Sequence, residues 1–163
     1  MKDEVLSLVI GAVVMDTLTI AMNYGRFIFV SDELTRWYKE FRISAMIMDC
    51  IIVIFYVLIG IRLAERNGVY SQSGKIAYMV GVQLVGDMFF YVLFNSVPRG
   101  TYVFDLFKDY KEEVGYHALW ADSLLTIGTY WVGLVLLKDV TYDDKILTLL
   151  ASVYVSQYIL YLK

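Results

Sequence analysis

Residues 43–61 read ISAMIMDCIIVIFYVLIGI, a stretch of 19 residues in which Asp49 is the only charged side chain. Crossing the hydrocarbon core of a bilayer, about 30 Å thick, takes roughly 20 mainly apolar residues in a helix. The stretch is therefore predicted to be a transmembrane helix that carries an aspartate inside the membrane.

Four further stretches have similar length and apolar character, so the sequence predicts an all-α, polytopic transmembrane helix bundle with about five spans. The whole chain, residues 1–163, is expected to form a single integral membrane domain. The shortest stretch is the last, which is either a tilted span or a helix packed at the edge of the bundle. The expected spans are residues 5–30, 43–61, 76–97, 116–137 and 146–162.

Two connecting segments carry an amphipathic pattern of their own. In residues 31–42, Ser31 is suited to be an N-cap, and the apolar side chains share one helical face: Leu34, Trp37, Tyr38 and Phe41. In residues 98–113, Pro98 ends the third span and apolar residues again recur at helical spacing. We expect both segments to be short helices that lie at the membrane interface.

Composition excludes several classes of function. The chain is 59% hydrophobic with a mean hydropathy of +0.59, which is too apolar for a soluble surface to cover. A net charge of −3 with scattered basic residues makes nucleic acid an unlikely partner. The sequence has no phosphate-binding glycine loop, no nucleophile elbow and no paired metal-binding histidines, so we expect no enzyme and no cofactor. We also expect no cleavable signal, because the first apolar run is too long for one.

The most informative feature is one aspartate inside each of the first four spans: Asp16, Asp49, Asp87 and Asp122. A carboxylate at the bilayer centre costs about 2.5–3.5 kcal/mol, so four that face lipid would cost roughly 10–14 kcal/mol. All four also lie at the midplane of their spans or towards the same membrane face. We therefore expect them to face protein or water and to share one polar zone.

Other polar side chains follow the same helical faces as these aspartates. They extend the candidate ion or proton pathway, which comprises Asp16, Asp49, Asp87, Asp122, Asn23, Gln83, Asn95 and Thr126.

Two interpretations of this zone are open. Clustered intramembrane carboxylates suit a proton relay or a cation site, and their oxygen atoms would favour a hard cation such as Ca²⁺ or Mg²⁺ if a metal binds at all. Alternatively, the same groups only hydrogen-bond between helices as packing contacts. Such bonds contribute on average about 0.6 kcal/mol each, which is less than the insertion cost of a carboxylate. The balance favours function for four aspartates at compatible depth, although their spacing matches no known ion-binding motif.

Residues 86–100 (GDMFFYVLFNSVPRG), 105–115 (DLFKDYKEEVG) and 121–124 (ADSL) resemble small uncharacterised membrane proteins of large DNA viruses that infect algae and protists. The resemblance covers about a third of the chain. It implies a location in a virion or host membrane, and the family brings no established activity or site residues.

The sequence thus predicts an integral membrane protein of viral type that serves as a structural or assembly component and has an acidic polar core. The alternative is a small proton or cation channel or transporter that uses the intramembrane aspartates. Expected partners are the lipid bilayer, further copies of the chain or other membrane or capsid proteins, and a proton or cation.

Overall fold

The computed structural model describes residues 2–28 and 30–162 of the chain. This part of the protein is helical and contains no strand. A short π-helical turn, Trp131–Leu136, directly follows the helix that ends at Tyr130. The helices are α1 (Lys2–Tyr24), α2 (Asp32–Phe41), α3 (Ile43–Arg66), α4 (Gln72–Ser96), α5 (Tyr102–Val114), α6 (His117–Tyr130) and α7 (Tyr142–Leu160).

Four of these helices are long and apolar enough to cross a membrane, as the sequence predicted. They are Asp3–Tyr24, Ile43–Arg66, Gln72–Ser96 and His117–Leu136. The first is shorter than the predicted span of residues 5–30, because α1 ends at Tyr24 and the chain turns at Gly25 and Arg26, where Arg26 has a φ of 55°. This set of helices is consistent with an integral membrane protein.

The predicted fifth span, residues 146–162, is not among the four. It corresponds to α7, whose first turn contains three charged residues, Asp143, Asp144 and Lys145. The 15 residues that follow, 146–160, extend only about 22 Å along a helix, which is shorter than the hydrocarbon core.

Both predicted connecting helices are present as α2 and α5. Ser31 caps α2 as expected, since its hydroxyl accepts a hydrogen bond from the backbone N–H of Leu34 at 2.9 Å. The apolar face of α2 packs into the protein, and Trp37 and Tyr38 are each only 2% exposed. Trp37 also contacts Phe107 of α5, with ring centroids 4.9 Å apart. The two short helices therefore form a layer over one end of the bundle, which we call the α2–α5 end.

Helix α1 packs against α3, α6 and α7, so it lies at the centre of the bundle. Where α1 crosses the π-helical turn, the two backbones approach closely. A Cβ atom added to Gly133 would lie 2.7 Å from the Ser7 carbonyl oxygen, and one added to Gly11 would lie 2.5 Å from that of Thr129. Glycine permits this approach because it has no side chain.

Candidate functional site

The hydroxyl of Tyr38 joins two of the four aspartates. It lies 2.9 Å from Asp16 Oδ1 and 2.8 Å from Asp49 Oδ2. The indole N–H of Trp37 donates a second hydrogen bond to Asp49 Oδ2, at 3.2 Å. Asp16 is 1% exposed, and its Oδ2 has no hydrogen-bond partner. Carboxyl groups from α1 and α3 thus meet around one tyrosine from α2, an arrangement that we call the Asp16–Tyr38–Asp49 bridge.

The bridge depends on the position of α2, because this helix carries both Tyr38 and Trp37. Asn23 at the end of α1 fixes the start of α2: its amide nitrogen donates to Thr35 Oγ1 at 2.8 Å, and its oxygen accepts from the Ser31 N–H at 2.8 Å. Burial, followed by the charges of the two carboxylates, raises the pKa of Tyr38 well above its usual value. The tyrosine therefore keeps its proton and remains a donor.

Asp87 belongs to a second polar group between α3, α4 and α6. It accepts hydrogen bonds from the Gln83 side-chain amide and, at 3.3 Å, from the hydroxyl of Tyr56. Gln83 is fully buried and in turn accepts a hydrogen bond from Ser123 Oγ at 2.7 Å. Three of the four long apolar helices thus hold the Asp87 carboxyl group in place.

Asp122 differs from the other three aspartates because its carboxyl group has no hydrogen bond or ion pair with any residue that the structure describes. Its charged neighbours are Asp87 and Asp49. This carboxyl group is therefore free to bind a proton or another cation.

Asp49, Asp87 and Asp122 line a common cavity of about 1210 Å³. Most of the other lining residues are apolar, and the aromatic ones come from α2, α3, α4 and α5 and from Tyr116, which follows α5. Tyr110 of α5 also lines it, and its pKa is raised by burial and then by the charges of Asp122, Asp49 and Asp87. The cavity thus brings three of the four aspartates together, whereas Asp16 is connected to it through Tyr38.

The remaining predicted site residues occupy different positions. Thr126 lines the cavity. Gln83 does not line it, and its side-chain amide donates a hydrogen bond to Asp87. Asn23 and Asn95 do not line the cavity. Asn23 anchors α2, and Asn95 accepts a hydrogen bond from Lys111 of α5 at 2.8 Å. Both asparagines connect one of the long apolar helices to one of the short helices.

Sequence reasoning did not identify Tyr38 and Trp37 as site residues. Their helical face was recognised, but it was assigned to the membrane interface. The pattern that could have identified them is a hydroxyl and an indole N–H on the apolar face of α2. Only seven residues separate this helix from α1. Two donors on a face that is buried require acceptors, and the aspartates are suitable ones.

A metal centre is not formed by these residues. Within residues 2–28 and 30–162, no three histidine, cysteine, aspartate or glutamate side chains are grouped closely enough to hold a metal ion. The expected Ca²⁺ or Mg²⁺ site is therefore not supported by a cluster of carboxyl groups in this part of the chain.

Comparison of the chain with protein-family models, with curated proteins and with solved structures found no match. The resemblance of residues 86–100, 105–115 and 121–124 to viral membrane proteins therefore stays a prediction.

Proposed function

We propose that this chain is a membrane-spanning transporter or channel that moves protons or small cations through its acidic interior. The Asp16–Tyr38–Asp49 bridge is the main support for this proposal. The Tyr38 hydroxyl has one proton but makes short contacts with two carboxyl groups. That proton can satisfy only one contact well, so the other is satisfied when a carboxyl group carries a proton of its own.

The two carboxyl groups are suited to different protonation states. Asp49 accepts hydrogen bonds from Trp37 and Tyr38, which favour its charged form. Asp16 is almost completely buried, and one of its oxygens has no partner, which favours its neutral form. Transfer of the proton between them through Tyr38 would be one step of a relay. Asp49 also lines the cavity, so the relay continues towards Asp87 and Asp122.

A structural or assembly role, the first expectation from the sequence, explains this arrangement less well. Packing contacts are favourable when every buried polar atom is paired, whereas Asp16 Oδ2 and Thr126 Oγ1 are buried without a partner. Unpaired groups are costly in a protein interior and are expected where they serve binding or transfer. The geometry therefore favours the transport alternative.

Helix α7 completes the proposed architecture as a fifth span, although its composition is less apolar than that of the other four. Lys145 at its start pairs with Asp3 at the start of α1, at 2.7 Å. Near its end, the Leu160 carbonyl oxygen accepts a hydrogen bond from Arg42, which precedes α3 at the α2–α5 end. The helix thus follows α1 from one end of the bundle to the other. The pairing of Lys145 offsets the cost of a charge in the first turn.

Proton flux into proteoliposomes, followed with an internal pH-sensitive dye, tests the proposed function. The unmodified protein should acidify or alkalise the lumen faster than protein-free liposomes do under a pH gradient. The double variant Asp16→Asn/Asp49→Asn should lose this flux because neither side chain can carry a transferable proton. Asp143→Asn, in the exposed first turn of α7, is the matched control and should retain it. Absence of flux in the unmodified protein, or undiminished flux in the double variant, would refute a relay through the bridge.

A further inference from the structure

The cavity is larger than a path for protons or bare ions requires. Its volume of about 1210 Å³ exceeds the roughly 300–1,000 Å³ that is typical of sites for small organic molecules. Its walls include the rings of Phe90, Phe94, Phe104 and Phe107. Phe94 and Phe107 stack with their planes 3° apart and their centroids separated by 5.0 Å. Such a wall suits a ligand with an apolar, ring-sized body.

The charge of the lining is suited to a cation. The lining contains three carboxyl groups and one basic side chain, that of Lys111. Lys111 already has partners, since its ammonium group donates to Asn95 Oδ1 at 2.8 Å and lies 3.8 Å from the centroid of the Tyr91 ring. It therefore does not neutralise Asp122, whose carboxyl group has no partner within the described chain.

An unpaired hydroxyl lies one helical turn from Asp122. Thr126 lines the cavity and is fully buried, yet its Oγ1 has no hydrogen-bond partner. A buried hydroxyl without a partner costs free energy unless a ligand supplies one. Residues at positions i and i+4 share a helical face, so the Thr126 hydroxyl lies on the side of α6 that carries Asp122.

The cavity is accessible from the apolar belt of the protein. Leu84 and Met88 of α4 and Leu124 of α6 line it and remain 40%, 68% and 53% exposed. All three residues lie in helices that are long and apolar enough to cross a membrane, and in a bilayer acyl chains rather than water would surround them. A hydrated metal ion would not enter by this route. A molecule with an apolar body and a positive charge can partition into the bilayer and reach the carboxyl groups from there.

We propose that this cavity binds an organic cation whose apolar body packs against the aromatic wall and whose positive charge lies beside Asp122, Asp87 and Asp49. The inference rests on the proposed function, because it assigns a cargo to the same acidic interior. Proton transfer at the Asp16–Tyr38–Asp49 bridge would then accompany exchange of the cation, since Asp49 belongs to both the bridge and the cavity wall.

Binding of radiolabelled tetraphenylphosphonium to the protein in lipid nanodiscs tests this inference, with empty nanodiscs as the blank. Tetraphenylborate has the same shape and the opposite charge, so it is the matched control ligand. We expect saturable binding of the phosphonium that excess unlabelled phosphonium displaces, and no saturable binding of the borate. Asp122→Asn should weaken phosphonium binding at least about tenfold, the effect of removing a buried charge partner. Asp143→Asn should leave it unchanged.

A second variant tests whether weaker phosphonium binding could result from loss of folding rather than from loss of a binding group. Thr126→Val removes the unpaired hydroxyl with little change in shape, so it should raise the midpoint of thermal unfolding and weaken binding by about threefold. Equal binding of phosphonium and borate, or unchanged affinity in folded Asp122→Asn protein, would overturn the inference. If proton flux depends on Asp16 and Asp49 but phosphonium does not bind, the inference of an organic cation is overturned and the proposed function stands. Saturable, Asp122-dependent binding without flux would support the binding site and refute transport.

Discussion

Glu113, near the end of α5, accepts a hydrogen bond from the hydroxyl of Ser31 at 2.5 Å. Ser31 is the N-cap of α2, so a residue 82 positions away completes the cap. The same carboxylate accepts from the next two backbone N–H groups, those of Asp32 at 2.7 Å and Glu33 at 3.1 Å. Burial acts to raise the pKa of Glu113, but these three hydrogen bonds outweigh it and lower the pKa below its usual value. Helix α5 thereby holds in place the helix that carries Tyr38.

Glu113→Gln should destabilise the protein at neutral pH by about 0.5–1 kcal/mol, because the variant loses a charged cap at a helix N-terminus. The pKa is lower in the folded state, so the contribution is present above the unfolded-state pKa of about 4.3 and disappears as the pH falls through the folded-state value. Thermal unfolding in detergent at pH 7 and at about pH 3 measures the difference. Glu112→Gln, which breaks a surface ion pair with Arg99, is the control and should change little. Equal destabilisation at both pH values would contradict the charged cap.

Tyr38→Phe removes the hydroxyl between Asp16 and Asp49 without changing the ring that packs in the core. We expect destabilisation of about 1–3 kcal/mol, because two buried carboxyl groups lose a hydrogen-bond partner. Proton flux in proteoliposomes should fall strongly as well. Tyr142→Phe, at a tyrosine that is 57% exposed, serves as the control and should affect neither property. Full flux in Tyr38→Phe would remove this hydroxyl from the pathway.

Gly133→Ala should destabilise the bundle by about 1–3 kcal/mol, the usual cost of overpacking, because the added methyl group would lie 2.7 Å from the Ser7 carbonyl oxygen. Gly81→Ala is a matched change within α4, where an added Cβ meets nothing within 4 Å. It should stabilise α4 by about 0.5–1 kcal/mol, because alanine is the better helix former. Midpoints of thermal unfolding that shift in the same direction in both variants would argue against a close crossing of α1 and the π-helical turn.

Whether α7 crosses the membrane as a fifth span is tested by finding on which side of the membrane position 162 lies. Single cysteines introduced as Ser73→Cys, Thr101→Cys and Leu162→Cys, in a Cys50→Ser background, can be labelled in sealed vesicles with a membrane-impermeant maleimide. If α7 crosses the membrane, position 162 should label from the same side as position 101 and from the opposite side to position 73. Labelling of positions 162 and 73 from the same side would show that α7 does not cross.

The sequence was sufficient to predict the helices and most of their boundaries, because helical periodicity and hydropathy are local properties. It predicted α2 with its Ser31 cap, and it predicted that four spans each contain one aspartate. It extended α1 too far, since the apolar run continues past the turn at Gly25 and Arg26. The last predicted stretch, residues 146–162, was the shortest, and α7 is not among the four helices that are long and apolar enough to cross a membrane.

Local patterns determined which polar groups lie in the long apolar helices, because helix length and hydropathy depend on residues that are neighbours in the chain. Only the tertiary structure decided which partners these groups have. The rotation and crossing of the helices direct Tyr38 towards Asp16 and Asp49, place Asp122 opposite an aromatic wall, and assign Asn23 to anchoring α2. Such contacts join residues that are far apart in the chain, so they depend on how all the helices pack together.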